Sequence, residues 1–198
     1  DMDLVDTAIR LEAELKNKMN DVLGTLTECE KYPSGVRGSE RAKVLDWLSM
    51  HGLDLPDSQA ATLDHLMASS SFDDLAPEVQ EVVRIARQIN RASVSKYKRI
   101  KAMVDPDDGR VRELVMYHGA ATGRWSGKGI QVQNLPKGLD LPGLVGLSIA
   151  EAEKFGLFKK AIADIMTGDL AWLETLYGDV LTLLSSVLRG TLVPSPGK

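Results

Sequence analysis

Apolar residues recur at helical spacing between residues 3 and 28, at Leu4, Ile9, Leu11, Leu15, Met19, Val22, Leu23 and Leu26, and predict a long amphipathic helix. After the turn-rich stretch from Glu30 to Gly38, Ser39 is the candidate N-cap of a helix running to His51, which Gly52 stops. A short third helix should follow Pro56-Asp57-Ser58 and end near Met67, and the serines at 69–71 read as a loop. From Pro77 to Val104 the stripe Val79, Val82, Val83, Ala86, Ile89, Val94, Tyr97, Ile100 and Val104, with Ile85 at its edge, predicts a second long helix with proline in its first turn. By spacing alone these segments make an antiparallel helical arrangement.

The pattern then changes. Asp105-Pro106-Asp107-Asp108-Gly109 is a strong turn signal, and Arg110 to His118 alternates as a strand does. Gly119, Gly123, Gly127 and Gly129 fall within eleven residues and predict a loop rather than a regular element. Past Pro136 helices return: Ser148 with Glu151 fits a capping box, and Gly156 breaks the first segment. Gly168-Asp169 precedes a short helix around Trp172, Gly178-Asp179 starts another ending at Gly190, and Thr191 to Val193 reads as the start of a strand.

Composition narrows the classes. The 198 residues are 43% hydrophobic and 26% charged, ordinary for a soluble globular chain of one large or two small domains. No run approaches the length of a membrane span and no secretory signal is present, so a cytoplasmic protein is expected. The lone Cys29 excludes an internal disulfide and a multi-cysteine zinc site, and reads as an ordinary thiol.

Charge changes the picture more. A net charge of −4 argues against a nucleic-acid partner, but its distribution argues for one. From Val82 to Val104 there is no acidic residue, while Arg84, Arg87, Arg91, Lys96, Lys98, Arg99 and Lys101 are all basic. On one continuous helix Arg84, Arg87, Arg91 and Lys98 would share a side, roughly two-fifths of a turn from the apolar stripe. Such a row suits either a phosphate backbone or solvent; acids at i±4, the usual mark of a merely solvated face, are missing.

The candidate chemistry lies in Ala121 to Pro136, ATGRWSGKGIQVQNLP. A phosphate-cradling P-loop needs four residues between its glycines and a hydroxyl residue after lysine; here three separate Gly123 from Gly127 and Gly129 follows Lys128. Arg124, Ser126, Lys128, Gln131, Gln133 and Asn134 remain as groups able to bond base edges or phosphates. An exposed, flexible loop held by a few hydrogen bonds is the other reading. Trp125 could stack on a ligand or anchor the loop from beneath, the commoner role of an indole.

Thr122 to Pro136 resembles the segment of family A DNA polymerases, the polymerase I type, that opens the palm: Thr-Gly-Arg, a serine two residues on, then Gln-Asn-hydrophobic-Pro. Tryptophan after the arginine is similar to the phage and prophage branch. Val104 to Val111 resembles the turn between thumb helix and first palm strand, Tyr117-His118 the Tyr-His pair before the loop, and Ser95-Lys96-Tyr97-Lys98 the Thr-Lys-Leu-Lys of the returning thumb helix. Between His118 and Thr122 the chain is slightly shorter than the bacterial pattern.

The resemblance implies a mainly α fold with a small β component: an antiparallel helical thumb over 1–109, then the start of an α+β palm over 110–198 with a helical insertion at 137–190. It implies primer-template duplex DNA as partner. Arg124 would lie on the minor-groove side of the primer-terminal pair, Gln133 and Asn134 at adjacent positions, and Ser126 and Lys128 on backbone. Lys96 and Lys98 would grip the duplex behind, Arg84, Arg87 and Arg91 would extend that contact, and His118 would join the DNA-facing set.

Leu188 to Pro194 resembles the lead-in to the strand bearing the first metal-binding aspartate, and the sequence reaches Lys198 before such an aspartate. The metal ions of nucleotidyl transfer, Mg2+ in the parent enzyme, and the deoxynucleoside triphosphates are therefore expected to need residues outside this chain, with no catalytic residue and no metal site within it. The Asp105, Asp107 and Asp108 cluster reads as a turn, lacking the distal glutamate of a calcium loop. Three readings follow: an inactive DNA-binding fragment of a polymerase, a self-standing DNA-binding protein derived from one, or a helical module whose basic helix meets an acidic protein.

Overall fold

The computed structural model describes residues 1–90, 95–136 and 156–193, together with the backbone of 138–139 and 147–148. The chain forms two compact units, Ala13–Arg91 and Asp1–Glu12 with Ala92–Lys198. The turn at 105–109, where the sequence reading divides the chain, falls inside the second. The described residues are mainly helical, with two small antiparallel ribbons. None of their helices is long and apolar enough to cross a membrane.

The unit Ala13–Arg91 holds α1 (Met2–Thr27) from Ala13 onward, with α2 (Arg41–Met50), α3 (Ala60–Met67), α4 (Ser70–Asp73) and α5 (Pro77–Ile89). The stripe of α5 is buried as its spacing predicts, and packs in one core with Leu23, Val44, Trp47, Leu48, Leu63 and Phe72. Gly52, at φ +81, ends α2: its N–H donates to Ser49 O and that of Leu53 to Leu48 O, a Schellman pair. Thr27, fully buried, donates to Leu23 O at 2.6 Å and accepts from the Val36 N–H at 2.7 Å, which ties the loop after α1 back onto the helix.

Four expectations are corrected in this unit. Glu40 rather than Ser39 stands at the N-cap of α2, and its carboxylate reaches back to accept from the Arg37 N–H at 3.0 Å. The serine run is not a loop: it opens α4, a single turn that buries Phe72. Val22 is exposed, at the margin of the apolar face. The long helix from Pro77 stops at Ile89, because Asn90 closes it. Its backbone N–H and Nδ2 both donate to Ala86 O, at 3.3 and 2.8 Å, and its Oδ1 accepts from Arg41 Nε at 3.2 Å. A second helix, α6 (Ser95–Met103), follows; Arg91 and Val94 lie outside the described residues.

The other unit contains the first half of α1, α6, and the ribbon β1 (Val115–Met116) with β2 (Ser126–Gly127). A 3-10 turn at Val132–Asn134 follows, then the ribbon β3 (Gly138–Leu139) with β4 (Leu147–Ser148), and α7 (Leu157–Met166), α8 (Leu170–Tyr177) and α9 (Val180–Ser186). Asp169 and Asp179 cap α8 and α9, accepting from the N–H of Trp172 and of Thr182 at 3.0 Å each. Gly168 and Gly178 adopt positive φ at the helix junctions where breaks were expected; Gly156, also at positive φ, stands at the N-cap of α7, and the segment expected before it lies outside the described residues. Tyr97 of α6 is fully buried, and its hydroxyl donates to Leu184 O of α9 at 2.6 Å.

Here too the pattern misleads in places. The turn forms as expected, with Gly109 at φ +68 and Val104 bridged to Val111. The strand after it is cut to two residues, because Glu113 takes φ +54 and breaks the alternation. Part of the glycine-rich run supplies the partner strand: Val115 faces Gly127, and Met116 faces Ser126. Ser148 pairs in β4; Glu151 and the helix expected from this capping box lie outside the described residues. Thr191 ends a 3-10 turn, Val187–Thr191, instead of opening a strand; its hydroxyl donates to Leu188 O at 2.8 Å and curls the backbone.

Each unit has a buried hydroxyl whose loss should be measurable. Thr27→Val leaves the Val36 N–H unpaired and should cost about 1–3 kcal/mol, and Tyr97→Phe should cost about 1–2 kcal/mol, both read from urea midpoints. An unchanged midpoint for either would remove its assigned role.

Candidate nucleic-acid interface

The polar loop is built from the ribbon outward. Tyr117 to Trp125 joins β1 to β2, closed by Ala120 N–H to Arg124 O at 3.2 Å and Gly123 N–H to Ala120 O at 2.9 Å. Gly123 and His118 both take positive φ there. A Cβ on Gly119 would collide with Ser126 Oγ, so the loop crosses its own strand only where a side chain is missing. Lys128 N–H donates to Leu114 O at 2.8 Å and extends the ribbon by one bond.

Beyond β2 the chain is pinned by two buried residues, Ile130 and Leu135, on either side of the Val132–Asn134 turn. Gln131 enters that turn at φ +50. Two cations hold its far end through carbonyl oxygens. Arg189 donates to Pro136 O at 2.7 Å and Leu135 O at 3.2 Å, and Lys96 Nζ to Asn134 O at 3.3 Å. Either open reading, a nucleic-acid contact or an exposed loop held by a few hydrogen bonds, accommodates these contacts.

The expected site residues fall into three groups. Arg124 is exposed and makes no side-chain hydrogen bond or ion pair among the described residues. Gln133 and Asn134 are exposed on the turn; Asn134 Nδ2 donates to Gln131 Oε1 at 2.8 Å, and Gln133 lies where a Cβ on Gly127 would strike it. Ser126 is half-buried beside Gly119, and His118 is exposed with its ring 4.5 Å from that of Tyr117. Trp125 does not lie beneath the loop; it is 63% exposed.

The second group is basic but paired. Lys128 Nζ meets Glu113 at 2.7 Å, and that bond holds the Glu113 carboxyl below the usual glutamate range. Lys98 Nζ lies 3.6 Å from Glu12, whose side chain is buried, and Lys101 bonds Asp6 at 2.7 Å. The third group lies in the unit Ala13–Arg91. Arg84 pairs with Glu81 at 3.4 Å and stands over the Phe72 ring, while Arg87 forks onto Asp64 at 2.7 and 2.8 Å. The single basic row drawn on one helix is thus divided, because α5 and α6 are separate helices. Arg91 lies outside the described residues.

Arg189 is the positioning residue that pattern reasoning missed. Its only signal was an arginine after an apolar run, close to a glycine. Among the described residues no cluster of three or more His, Cys, Asp and Glu could hold a metal ion. The turn aspartates are engaged elsewhere: Asp105 accepts from the Asp107 N–H and Arg112, and Asp108 accepts from the Arg110 N–H and Arg112. Arg112 holds the Asp108 carboxyl below its usual range. These residues do not fit a nucleotidyl-transfer metal pair, and no chemical step is derived through one.

No family model matches the chain, and no solved structure matches it. The chain is nevertheless related in sequence to a phage DNA polymerase. That relative is the DNA polymerase of Bacillus phage SP02, 28% identical over all 198 residues, and the chain spans 26% of its length.

Two outcomes test the geometry. Arg189→Gln should speed amide exchange at Leu135 about 10- to 100-fold, the loss expected for charge-assisted bonds; unchanged exchange would show that the turn holds itself. Glu113 is depressed by Lys128, so the pair is intact above the ordinary glutamate range and is lost as pH falls through the lowered value. Lys128→Gln should therefore raise the Glu113 midpoint in carboxyl NMR.

Proposed function

We propose that the chain is the thumb and first palm segment of a phage-type family A DNA polymerase, and that it holds primer-template duplex DNA. The observation that carries this reading is Arg124, exposed and unpartnered among the described residues, in a Thr-Gly-Arg segment of a chain related to a phage DNA polymerase. Its guanidinium suits the minor-groove edge of the primer-terminal pair, where the acceptors of adenine and thymine are nearly alike and guanine adds only its N2 donor. Gln133 and Asn134 would read adjacent positions. Ser126 and Lys128 would meet backbone, and His118 would stand at the near edge.

Lys96 and Lys98 would grip the duplex behind the terminus. Each would give up a partner to do so, a carbonyl for Lys96 and the buried carboxylate of Glu12 for Lys98. Arg84, Arg87 and Arg91 would contribute mainly through the field they add, since Arg84 and Arg87 already have acidic neighbours. In the parent enzyme Mg2+ and deoxynucleoside triphosphates would be bound by residues outside this chain, which alone would be inactive. The site of action would be the cytoplasm of an infected or lysogenic cell.

Titration with primer-template DNA at several salt concentrations tests the reading. If about five phosphates are neutralised, the log-log slope should be about −4.5; binding without salt dependence, or none, rejects it. In the parent enzyme Arg124→Ala should lower incorporation more than duplex affinity, whereas Lys96→Ala and Lys98→Ala should weaken binding and each flatten the slope by about 1. Equal losses in both assays for all three would overturn the division of roles.

A further inference from the structure

We infer that the tip of the β1–β2 ribbon is a stacking platform for an unpaired nucleobase, with Trp125 and Tyr117 supplying the rings beside the primer-terminal pair whose edge Arg124 meets. This rests on the reading that the chain binds DNA, and goes beyond it by assigning a strand state. Both rings are more than half exposed, at 63% and 67%, whereas Trp47 is 2% exposed in its core. They meet edge to face, centroids 5.0 Å apart and planes at 65°, so that each ring steadies the other, and the His118 ring lies 4.5 Å from that of Tyr117.

The surroundings choose the occupant. From Leu114 to Leu139 the sequence carries no acidic residue but has Arg124, Lys128 and Lys137. Lys128 is engaged by Glu113, so the charge left available at the tip is Arg124, which adjoins Trp125 in sequence and has no partner among the described residues. Aromatic rings beside a guanidinium that meets the terminal pair suit the next nucleotide, whose base stacks on them. An apolar protein surface would leave that guanidinium buried and unpaired, at a cost.

Duplex DNA offers base edges in its grooves; only an unstacked base offers a face. The platform therefore takes a single-stranded nucleotide, such as one in a template extension. The loop keeps its shape without a ligand, since Gly123 N–H and Ala120 N–H are both bonded within it. Less ordering is then required on binding.

The test compares a blunt duplex with the same duplex carrying an unpaired extension, using the 198-residue chain and its tryptophan fluorescence. The extension should bind about 5- to 150-fold more tightly and quench the emission, the range expected for stacking one base. Trp125→Leu and Tyr117→Leu should each reduce that preference, and Trp125→Leu should abolish the quench. Trp172→Phe, which removes the other exposed indole, should change neither the preference nor the Trp125 quench. Salt-dependent binding of the blunt duplex should persist in all variants.

Equal affinity for both DNAs with the expected salt slope overturns the platform and leaves the duplex reading standing. No binding of either DNA overturns both. If Trp125→Leu instead dissolves a dimer seen in sedimentation and leaves the DNA preference intact, the occupant is a second copy of the chain and the platform is rejected.

Discussion

The bond from the Tyr97 hydroxyl to Leu184 O fixes what the proposed DNA-facing surface depends on. Tyr97 sits on α6 between Lys96 and Lys98, and its ring is fully buried against the helices at the far end of the chain. Burial pushes its phenol well above the usual tyrosine range, so it remains a neutral donor at any pH the protein would meet. Turning this one residue inward sets the directions available to its neighbours. Lys96 reaches the carbonyl of Asn134, and Lys98 reaches Glu12. The same α9 whose carbonyl it holds leads into Arg189, which clasps Leu135 and Pro136. A buried hydrogen bond thus registers a basic helix against a polar turn.

Charge is organised by the same folding. A stretch without acids in sequence is not without acids in space. Asp6 and Glu12 come from α1, nearly a hundred residues away in the chain for Lys101 and Asp6, and Asp64 comes from α3. The exposed Lys101–Asp6 pair contributes little to stability, and a polyanion can displace it at small cost, whereas the Lys98 and Arg87 pairs each include a largely buried side chain and cost more to break. All of them lower the resting field of the basic helices. Arg124 differs, because the residues that could have neutralised it are absent from its loop.

Several features were legible beforehand for physical reasons that act locally. The stripe of α5, the stop at Gly52, the aspartate caps of α8 and α9 and the turn at 105–109 each need only a few consecutive residues to form. The failures share the opposite cause. Asn90 ends a helix that periodicity would continue, because its side chain is held by Arg41 from another helix. Ser126 and Gly127 form a strand because Val115 and Met116 lie opposite, which no glycine count reveals. Trp125 stands in solvent because its closest ring partner, Tyr117, is on the same exposed ribbon.

What the sequence by itself determined, then, is a mainly helical chain with a small antiparallel component, its local starts and stops, and a polar glycine-rich segment within a chain that is related to a phage DNA polymerase. Tertiary structure decided which cations are engaged and which is left open. It also decided that the basic residues occupy two helices rather than one, and that the polar turn is pinned by Arg189 and Lys96. The reason is range. Periodicity and turn chemistry act over a few residues, whereas ion pairing and exposure depend on groups that only folding brings together.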